Sequence, residues 1–239
     1  MQSHFKRYEK KYLVTEKQQA ALQETISQYM RPDQYGAYWV QNLYFDTSNW
    51  DVIRTSLEKP IYKEKMRLRC YGEAGPDSKF YLELKKKYKG VVYKRRIAIP
   101  ARALRGDSVR GIVAKNGSQI AKELDFYLQS NEVSEKIYIA YQRAAFTGVE
   151  DAELRVTFDT DIRFRLEDLR FSKSGGDQLI LPEGKTLMEV KALGGMPLWL
   201  AGALSENGIF PASFSKFGVC YTDVIYKQAC EEKKVKICA

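Results

Sequence analysis

Alternation of apolar and polar residues recurs in short segments along the chain, and this pattern is the mark of strands with one buried face. The segments that show it, or a compact aromatic and apolar run, are 5–14, 38–45, 62–71, 80–88, 91–99, 136–146, 154–158, 161–165 and 186–192. Lys89-Gly90 separates two of them and predicts a hairpin turn. The pattern therefore predicts a largely antiparallel sheet of about eight strands.

Helical patterns are fewer and lie between or beyond these segments. Thr15-x-x-Gln18 has the spacing of a capping box and predicts a helix that starts at Thr15. An amphipathic stretch predicts a second helix over 118–129, Pro197 stands where a third would begin, and a last helix is predicted over 219–227. The helices are too few to enclose the sheet by themselves.

The edges of such a sheet need protection, and closure into a barrel removes them. The fold-class prediction is therefore mainly β (α+β): a closed, antiparallel, roughly eight-stranded β-barrel tunnel with flanking helices. No repeat, low-complexity tract or linker divides the 239 residues, so one domain is expected over 1–239.

Composition narrows the chemistry that this fold can support. The chain has 39 Lys and Arg against 30 Asp and Glu, which indicates an anionic partner. Its one histidine, His4, excludes the usual zinc sites and Ser-His-Asp or Cys-His catalysis. The four cysteines form no C-x-x-C pair, and no signal peptide or long apolar run is visible. We therefore expect reduced thiols, a cytoplasmic location and no transmembrane segment.

The basic residues repeat on one face of several predicted strands. Cations that alternate with apolar residues are Lys63, Lys65, Arg67, Arg69, Lys85, Lys87, Lys94, Arg96, Arg143, Arg155 and Lys191. For any single strand a solvated outer face explains this pattern, because polar-out alternation is usual in antiparallel sheets. Several neighbouring cationic faces are harder to explain in that way, because like charges across strands repel. They favour an inward face that binds a phosphate-rich polyanion, for which Arg and Lys are suited.

Four residues near these faces are given structural assignments. Glu83 is expected to pair with neighbours of Lys85, with a metal-ligand role as its alternative, and Asp159, near a predicted strand end, is expected to form a turn. Tyr44 is assigned to the core, and Asp46 begins a predicted turn over 46–49.

Short motifs along nearly the whole chain resemble the catalytic domain of the vacuolar transporter chaperone (VTC) proteins. These are polyphosphate polymerases of the triphosphate tunnel (CYTH-like) superfamily. The motifs are Arg7-Tyr-Glu-Lys-Lys11-Tyr, Asn42-Leu-Tyr-Phe-Asp-Thr47, Lys65-x-Arg67-x-Arg69, Leu82-Glu-Leu-Lys85, Tyr93-Lys-Arg-Arg96, Tyr141-Gln-Arg143, Leu154-Arg-Val-Thr-Phe-Asp159, Leu187-Met-Glu-Val-Lys191 and Phe214-Ser-Lys216-Phe.

The resemblance implies a tunnel enzyme that moves the terminal phosphate of ATP onto a growing polyphosphate chain with Mn²⁺ or Mg²⁺. The implied catalytic residues are Lys11, Arg67, Arg69, Lys85, Arg143 and Arg155. The implied phosphate-binding residues are Lys65, Lys94, Arg96, Lys191, Ser215 and Lys216. The implied metal ligands are Glu189 and, with a salt bridge to a nearby Lys as its alternative, Glu9.

The same resemblance leaves other activities open. The superfamily often begins with a Glu-x-Glu-x-Lys strand that supplies metal-binding acids, and here Arg7 replaces the first acid of Arg7-x-Glu9-x-Lys11. This favours a polymerase over the alternatives, which are a tripolyphosphatase or nucleoside triphosphatase and a non-catalytic module that binds polyphosphate or inositol phosphates. ATP and polyphosphate are the expected partners. Nucleic acid is not expected, because the cations lie on separate strands without an RNA-binding signature. A membrane-associated partner is left open.

Overall fold

The structure is a computed structural model, and it describes residues 7–172 and 176–237. His4 and the first two residues of the strand predicted over 5–14 lie outside the described residues. The fold is mainly antiparallel sheet with flanking helices, as the sequence predicted.

The described residues form nine strands in one sheet. They are β1 (Arg7–Thr15), β2 (Met30–Asp46), β3 (Tyr62–Tyr71), β4 (Lys79–Tyr88), β5 (Val91–Pro100), β6 (Ser134–Gly148), β7 (Arg155–Arg165), β8 (Gln178–Leu179) and β9 (Lys185–Leu193). Their order is β1-β9-β7-β6-β2-β3-β4-β5, and β8 pairs with β7. The two strands predicted over 154–158 and 161–165 are one strand, β7, in which Asp161 has a positive φ of 46°.

Helices connect and follow the strands. They are α1 (Glu16–Tyr29), α2 (Asp51–Leu57), α3 (Ala101–Gly106), α4 (Val109–Lys115), α5 (Gln119–Ser130), α6 (Leu198–Glu206), α7 (Lys216–Cys220) and α8 (Tyr226–Ile237), with a π-helical turn at Tyr221–Ile225. The predicted capping box is confirmed, because Thr15 Oγ1 accepts from Gln18 N at 3.2 Å and Thr15 N donates to Gln18 Oε1 at 3.0 Å. The pattern did not predict α2, α3 and α4.

The prediction of a closed barrel is wrong, because the hydrogen-bonded strand order has two ends, β1 and β5. Each end is covered in another way. On β1, Lys11 O accepts a bond from Ala212 N at 2.7 Å, and Pro211 forms a bridge with Tyr12. At the other end, α5 packs against β5. A loop segment and a helix therefore protect the edges that we had expected barrel closure to remove.

The chain forms two compact units, and the expectation of a single domain over 1–239 stays a prediction. Unit 1 comprises Met1–Trp39, Tyr141–Ile162 and Leu179–Ser215. Its core is built from one face of β1, β7 and β9 and from apolar positions of α1 and α6. The buried members include Tyr12, Val14, Leu22, Ile26, Val156, Phe158, Met188, Val190, Leu200 and Leu204. The opposite face of these strands carries Lys11, Asp159 and Glu189, together with the apolar Leu13 and Leu187.

Unit 2 comprises Val40–Ala140, Arg163–Gln178 and Lys216–Ala239. The apolar faces of β3, β4 and β5 supply much of its core, with α4 and α5 contributing further apolar residues. Buried members include Met66, Leu68, Cys70, Leu82, Leu84, Ile97, Ile99, Val113, Leu124 and Leu128. Because successive side chains alternate between faces, burial of these residues places most of the basic residues of the three strands together on the other face, with Lys86 and Arg95 as exceptions.

Candidate anion-binding site

The strand register of unit 2 aligns charged residues in rows across β2, β3, β4 and β5. One row contains Tyr44, Arg67, Glu83 and Arg96, each at the register position opposite the next. Glu83 lies between two arginines and is 1% exposed. A carboxylate in this position can hold cations on both sides without contact with bulk water.

Glu83 is the centre of an ion-pair network, which we call the Glu83 cluster (Arg67, Glu83, Lys94 and Arg96). Arg67 donates to Glu83 Oε2 from Nη2 at 2.7 Å and from Nε at 2.9 Å. Glu83 Oε1 lies 3.4 Å from Lys94 Nζ and 3.7 Å from Arg96 Nη1. Burial alone would raise the pKa of Glu83, but the charges of Arg67, Arg69 and Lys94 lower it to about 2. Glu83 is therefore ionised at neutral pH, as the expected pairing required.

Arg67 and Arg69 are oriented by different partners on β2. Arg69, which is 7% exposed, donates from Nε to Asn42 Oδ1 at 2.7 Å, and Asn42 donates to Ile139 O at 3.0 Å. Arg67 Nη1 donates to Tyr44 Oη at 3.3 Å. Tyr44 is half-buried on the polar face, so its assignment to the core is corrected. The two guanidinium groups are thus held in defined orientations, which favours paired hydrogen bonds to a phosphate.

The polar face of β3, β4 and β5 carries far more cations than carboxylates. A second row consists of three lysines, Lys65, Lys85 and Lys94, in direct register. The cations of this face are Lys63, Lys65, Arg67, Arg69, Lys79, Lys85, Lys87, Lys94 and Arg96, and its one carboxylate within the three strands is Glu83. Like charges in register destabilise a sheet, so this face is suited to a multiply charged anion.

Unit 1 contains a second group of charges, the Glu189 cluster (Lys11, Arg143, Asp159, Glu189 and Lys191). Glu189 is 8% exposed and lies opposite Lys11 in the β1–β9 register. Its carboxylate is 3.4 Å from Lys11 Nζ, 3.6 Å from Lys191 Nζ and 4.0 Å from Arg143 Nη2. Lys11 also donates to Phe214 O at 2.8 Å. Three cations therefore share this carboxylate.

Asp159 holds Arg143 in a bidentate pair within the same cluster. Arg143 Nε donates to Oδ1 at 2.6 Å and Nη2 donates to Oδ2 at 2.8 Å. Burial would lower the pKa of Arg143, but Tyr141, Asp159 and Glu189 raise it well above its ordinary value. Asp159 is fully buried inside β7, so the expectation that it forms a turn is wrong.

The remaining predicted residues lie at the margins of these clusters. Arg155 is exposed on β7 and pairs with Asp33 at 3.4 Å. Glu9 is exposed on β1, and its register partner is Lys191, which in turn lies opposite Arg155.

Ser215 and Lys216, which were both predicted to bind phosphate, are adjacent in sequence and follow β9. Ser215 is the last residue of unit 1 and Lys216 the first residue of α7 in unit 2, and both are half-buried. Their assignment to phosphate binding stays a prediction.

A divalent metal could use Glu189 as one protein ligand. Among residues 7–172 and 176–237, no three or more His, Cys, Asp or Glu side chains form a group that could hold a metal. Mg²⁺ commonly binds proteins through one or two carboxylates and completes its shell with substrate phosphates and water. Glu189 fits such a one-carboxylate site, in which the metal would share it with Lys11 and Lys191.

Sequence reasoning did not identify several residues that orient the cations. Asn42 and Tyr44 are two residues apart in the segment 42–47, so on a strand they share one face. The register of β2 and β3 makes this the face of Arg67 and Arg69. Asp159 follows Arg155 and Thr157 at the same period, but the two-strand interpretation of 154–165 placed it in a turn.

An antiparallel sheet whose cations surround the buried carboxylates Glu83, Asp159 and Glu189 has the charge pattern of a protein suited to multiply charged anions. The family profile described as VTC domain matches residues 6–225. The chain therefore belongs to the VTC domain family, which is part of the CYTH-like tunnel-fold superfamily. Membership supports a phosphate-related enzyme, and this family is metal dependent in general.

Solved structures show more distant likeness. PH1819 from Pyrococcus horikoshii OT3 is 13% identical, with 90% of this chain and 99% of that chain covered and a TM-score of 0.47. A candidate adenylate cyclase from Vibrio parahaemolyticus is 12% identical, with 92% and 100% covered and a TM-score of 0.49. No curated protein shows significant sequence similarity to this chain. In the part of the chain that the structure describes, no helix is both long and apolar enough to cross a bilayer.

Proposed function

We propose that the chain is a polyphosphate polymerase that transfers the terminal phosphate of ATP to a growing polyphosphate chain, with Mn²⁺ or Mg²⁺. The observation that carries the proposal is the excess of cations over the single carboxylate Glu83 on the polar face of β3–β5, in a member of the VTC domain family. Such a face binds a chain of phosphates more strongly than a singly charged anion.

The residues of this chain supply position and charge. Phosphoryl transfer needs little covalent participation from a protein, because catalysis comes mainly from alignment and electrostatic stabilisation. Arg67 and Arg69, oriented by Glu83 and Asn42, would donate to phosphate oxygens, and Lys94 would add charge. The attacking oxygen belongs to an ionised phosphate, so no general base is required.

In unit 1, Lys11 and Arg143 would bind phosphate oxygens, and Glu189 would hold the metal. When bound, the metal would neutralise charge that develops on the transferred phosphate. The replacement of an acid by Arg7 at the start of the chain supports a polymerase over a hydrolase, since fewer acids remain to hold the metal that activates water.

The direct test is to incubate the pure protein with ATP and Mn²⁺ and to resolve the products on a gel. A ladder of polyphosphate is expected. Release of phosphate without a ladder would instead identify a triphosphatase, and binding of tripolyphosphate without any turnover would identify a binding module.

Two variants separate the proposed metal ligand from the phosphate-binding residues. Glu189→Gln should abolish ATP turnover while affinity for tripolyphosphate, titrated in EDTA, stays equal or increases, because one repulsive charge is gone. Arg67→Ala should weaken that affinity by about 1.5–3 kcal/mol, because it removes a charge-assisted hydrogen bond. Lys86→Ala, on the other face of β4 and paired with Glu64, is the control. An active Glu189→Gln protein would show that Glu189 only balances charge.

A further inference from the structure

Three lysines lie near one another where β3 begins and β4 ends, and two of them, Lys63 and Lys87, belong to the polar face described above. We call Lys59, Lys63 and Lys87 the lysine cluster. Lys63 lies opposite Lys87 in the β3–β4 register, and its Nζ donates to Ser56 O at the end of α2 at 2.9 Å. Lys59, with a positive φ of 55°, lies in the turn that follows α2.

Among the residues that the structure describes, no carboxylate neutralises the lysine cluster. Burial, followed by the charges of Lys87 and Lys59, lowers the pKa of Lys63. Neither Lys59 nor Lys87 forms an ion pair with a carboxylate in residues 7–172 and 176–237. Glu64, adjacent to Lys63, is on the opposite face and pairs with Lys86 at 3.1 Å.

Capping of α2 explains the position of Lys63 but not the presence of Lys59 and Lys87 beside it. A lysine at the end of a helix commonly donates to the last carbonyls, as Lys63 does at Ser56. That contact requires neither Lys59 nor Lys87, whose charges oppose the charge of Lys63. Repulsion of this kind is relieved when an anion binds.

The lysine cluster continues the cationic rows of the polar face. The row of Arg67, Glu83 and Arg96 is followed by the row of Lys65, Lys85 and Lys94 and then by Lys63 and Lys87. Lys63 lies four positions along β3 from Arg67, which corresponds to about 13 Å. An extended polyanion can follow this line, whereas a triphosphate held at Arg67 is too short to follow it to its end.

We propose that the lysine cluster is a separate phosphate subsite for long polyphosphate chains, which it binds beyond the phosphates held at Arg67. The cluster then gives the protein a preference for long chains over triphosphate. This inference rests on the proposed function in one respect, because it takes polyphosphate as the ligand of the polar face.

The test compares two probes and two variants by titration in EDTA. The probes are sodium tripolyphosphate and a long-chain sodium polyphosphate. The subsite variant is Lys59→Ala combined with Lys87→Ala, which leaves the helix-capping Lys63 in place. The control is Lys86→Ala, a lysine of the same strand on the other face. Thermal unfolding of both variants verifies that they are folded, and removal of two repelling charges should not lower the subsite variant's Tm.

The subsite variant should bind the long chain about tenfold more weakly, since a tenfold change corresponds to about 1.4 kcal/mol. Its affinity for tripolyphosphate should fall by much less than tenfold, and the control should bind both probes as the wild type does. Unchanged long-chain binding, or an equal loss for both probes, would overturn the inference while leaving the proposed function intact. Absence of binding of either probe by the wild-type protein would overturn the proposed function itself.

Discussion

Substitution of Glu83 by Gln tests whether a buried carboxylate stabilises the cations of unit 2 in the absence of ligand. Glu83 is 1% exposed and pairs with Arg67 at 2.7 Å, and its pKa is lowered from an ordinary 4.5 to about 2. This difference corresponds to about 3 kcal/mol of stability when Glu83 is ionised. Arg67 should account for most of it, because Lys94 and Arg96 are more exposed to solvent.

The sign of the pH dependence follows from the lowered pKa. A carboxylate with a depressed folded-state pKa contributes its full stabilisation above the unfolded-state value and loses it as the pH falls through the folded-state value. At pH 7 the Glu83→Gln protein should therefore be about 3 kcal/mol less stable than wild type. The gap should narrow as the pH falls from 4.5 towards 2.

Urea unfolding of both proteins without phosphate, at pH 7 and in steps down to pH 3, measures this gap. Glu64→Gln is a matched control, since Glu64 pairs with Lys86 on the other face of the same strands and should cost less than about 1 kcal/mol. Tripolyphosphate should raise the Tm of the Glu83→Gln protein more than that of wild type, because the ligand replaces the lost charge. A cost below about 1 kcal/mol at pH 7, or a gap independent of pH, would refute the role assigned to Glu83.

Two further predictions concern local structure. Thr15→Ala should lower the free energy of unfolding by about 1 kcal/mol through loss of the capping box, measured by urea unfolding, and an unchanged value would contradict the cap. Burial raises the pKa of the Cys220 thiol, so in the native protein it should react with a thiol reagent at pH 8 only as fast as the protein opens, whereas rapid native-state labelling would contradict its burial.

The sequence predicted which side chains share one face of a strand more reliably than it predicted which segments lie beside that strand. The segment 62–71 was predicted with the bounds of β3, and the parity of Arg67 and Arg69 correctly placed them opposite the buried Met66 and Leu68. A period of two follows from strand geometry itself, so it is visible in one strand alone. What covers a sheet edge depends on distant residues, and no local pattern showed that Pro211 and Ala212 would lie along β1.

In the candidate site, too, features of a single strand were predicted better than contacts between strands. Motif resemblance indicated the cations, but not the residues that orient them. Asn42 binds Arg69 across the β2–β3 register, and Asp159 binds Arg143 from another strand. A hydrogen-bond partner on a neighbouring strand is set by register, and register depends on which strands pair. Tyr44, by contrast, was predictable in principle, because its parity matches that of Asn42.

Glu83 and Glu189 reduce the repulsion between like charges of a strongly cationic sheet when no anion is bound. Each carboxylate is less than a tenth exposed, and each has cations on both sides or along its own strand. Without them, rows of like charges would repel across the strands. In the proposed function, a bound phosphate chain would compete with these carboxylates for the same donors. The competition would limit affinity, which suits a polymerase because its product must advance after each transfer.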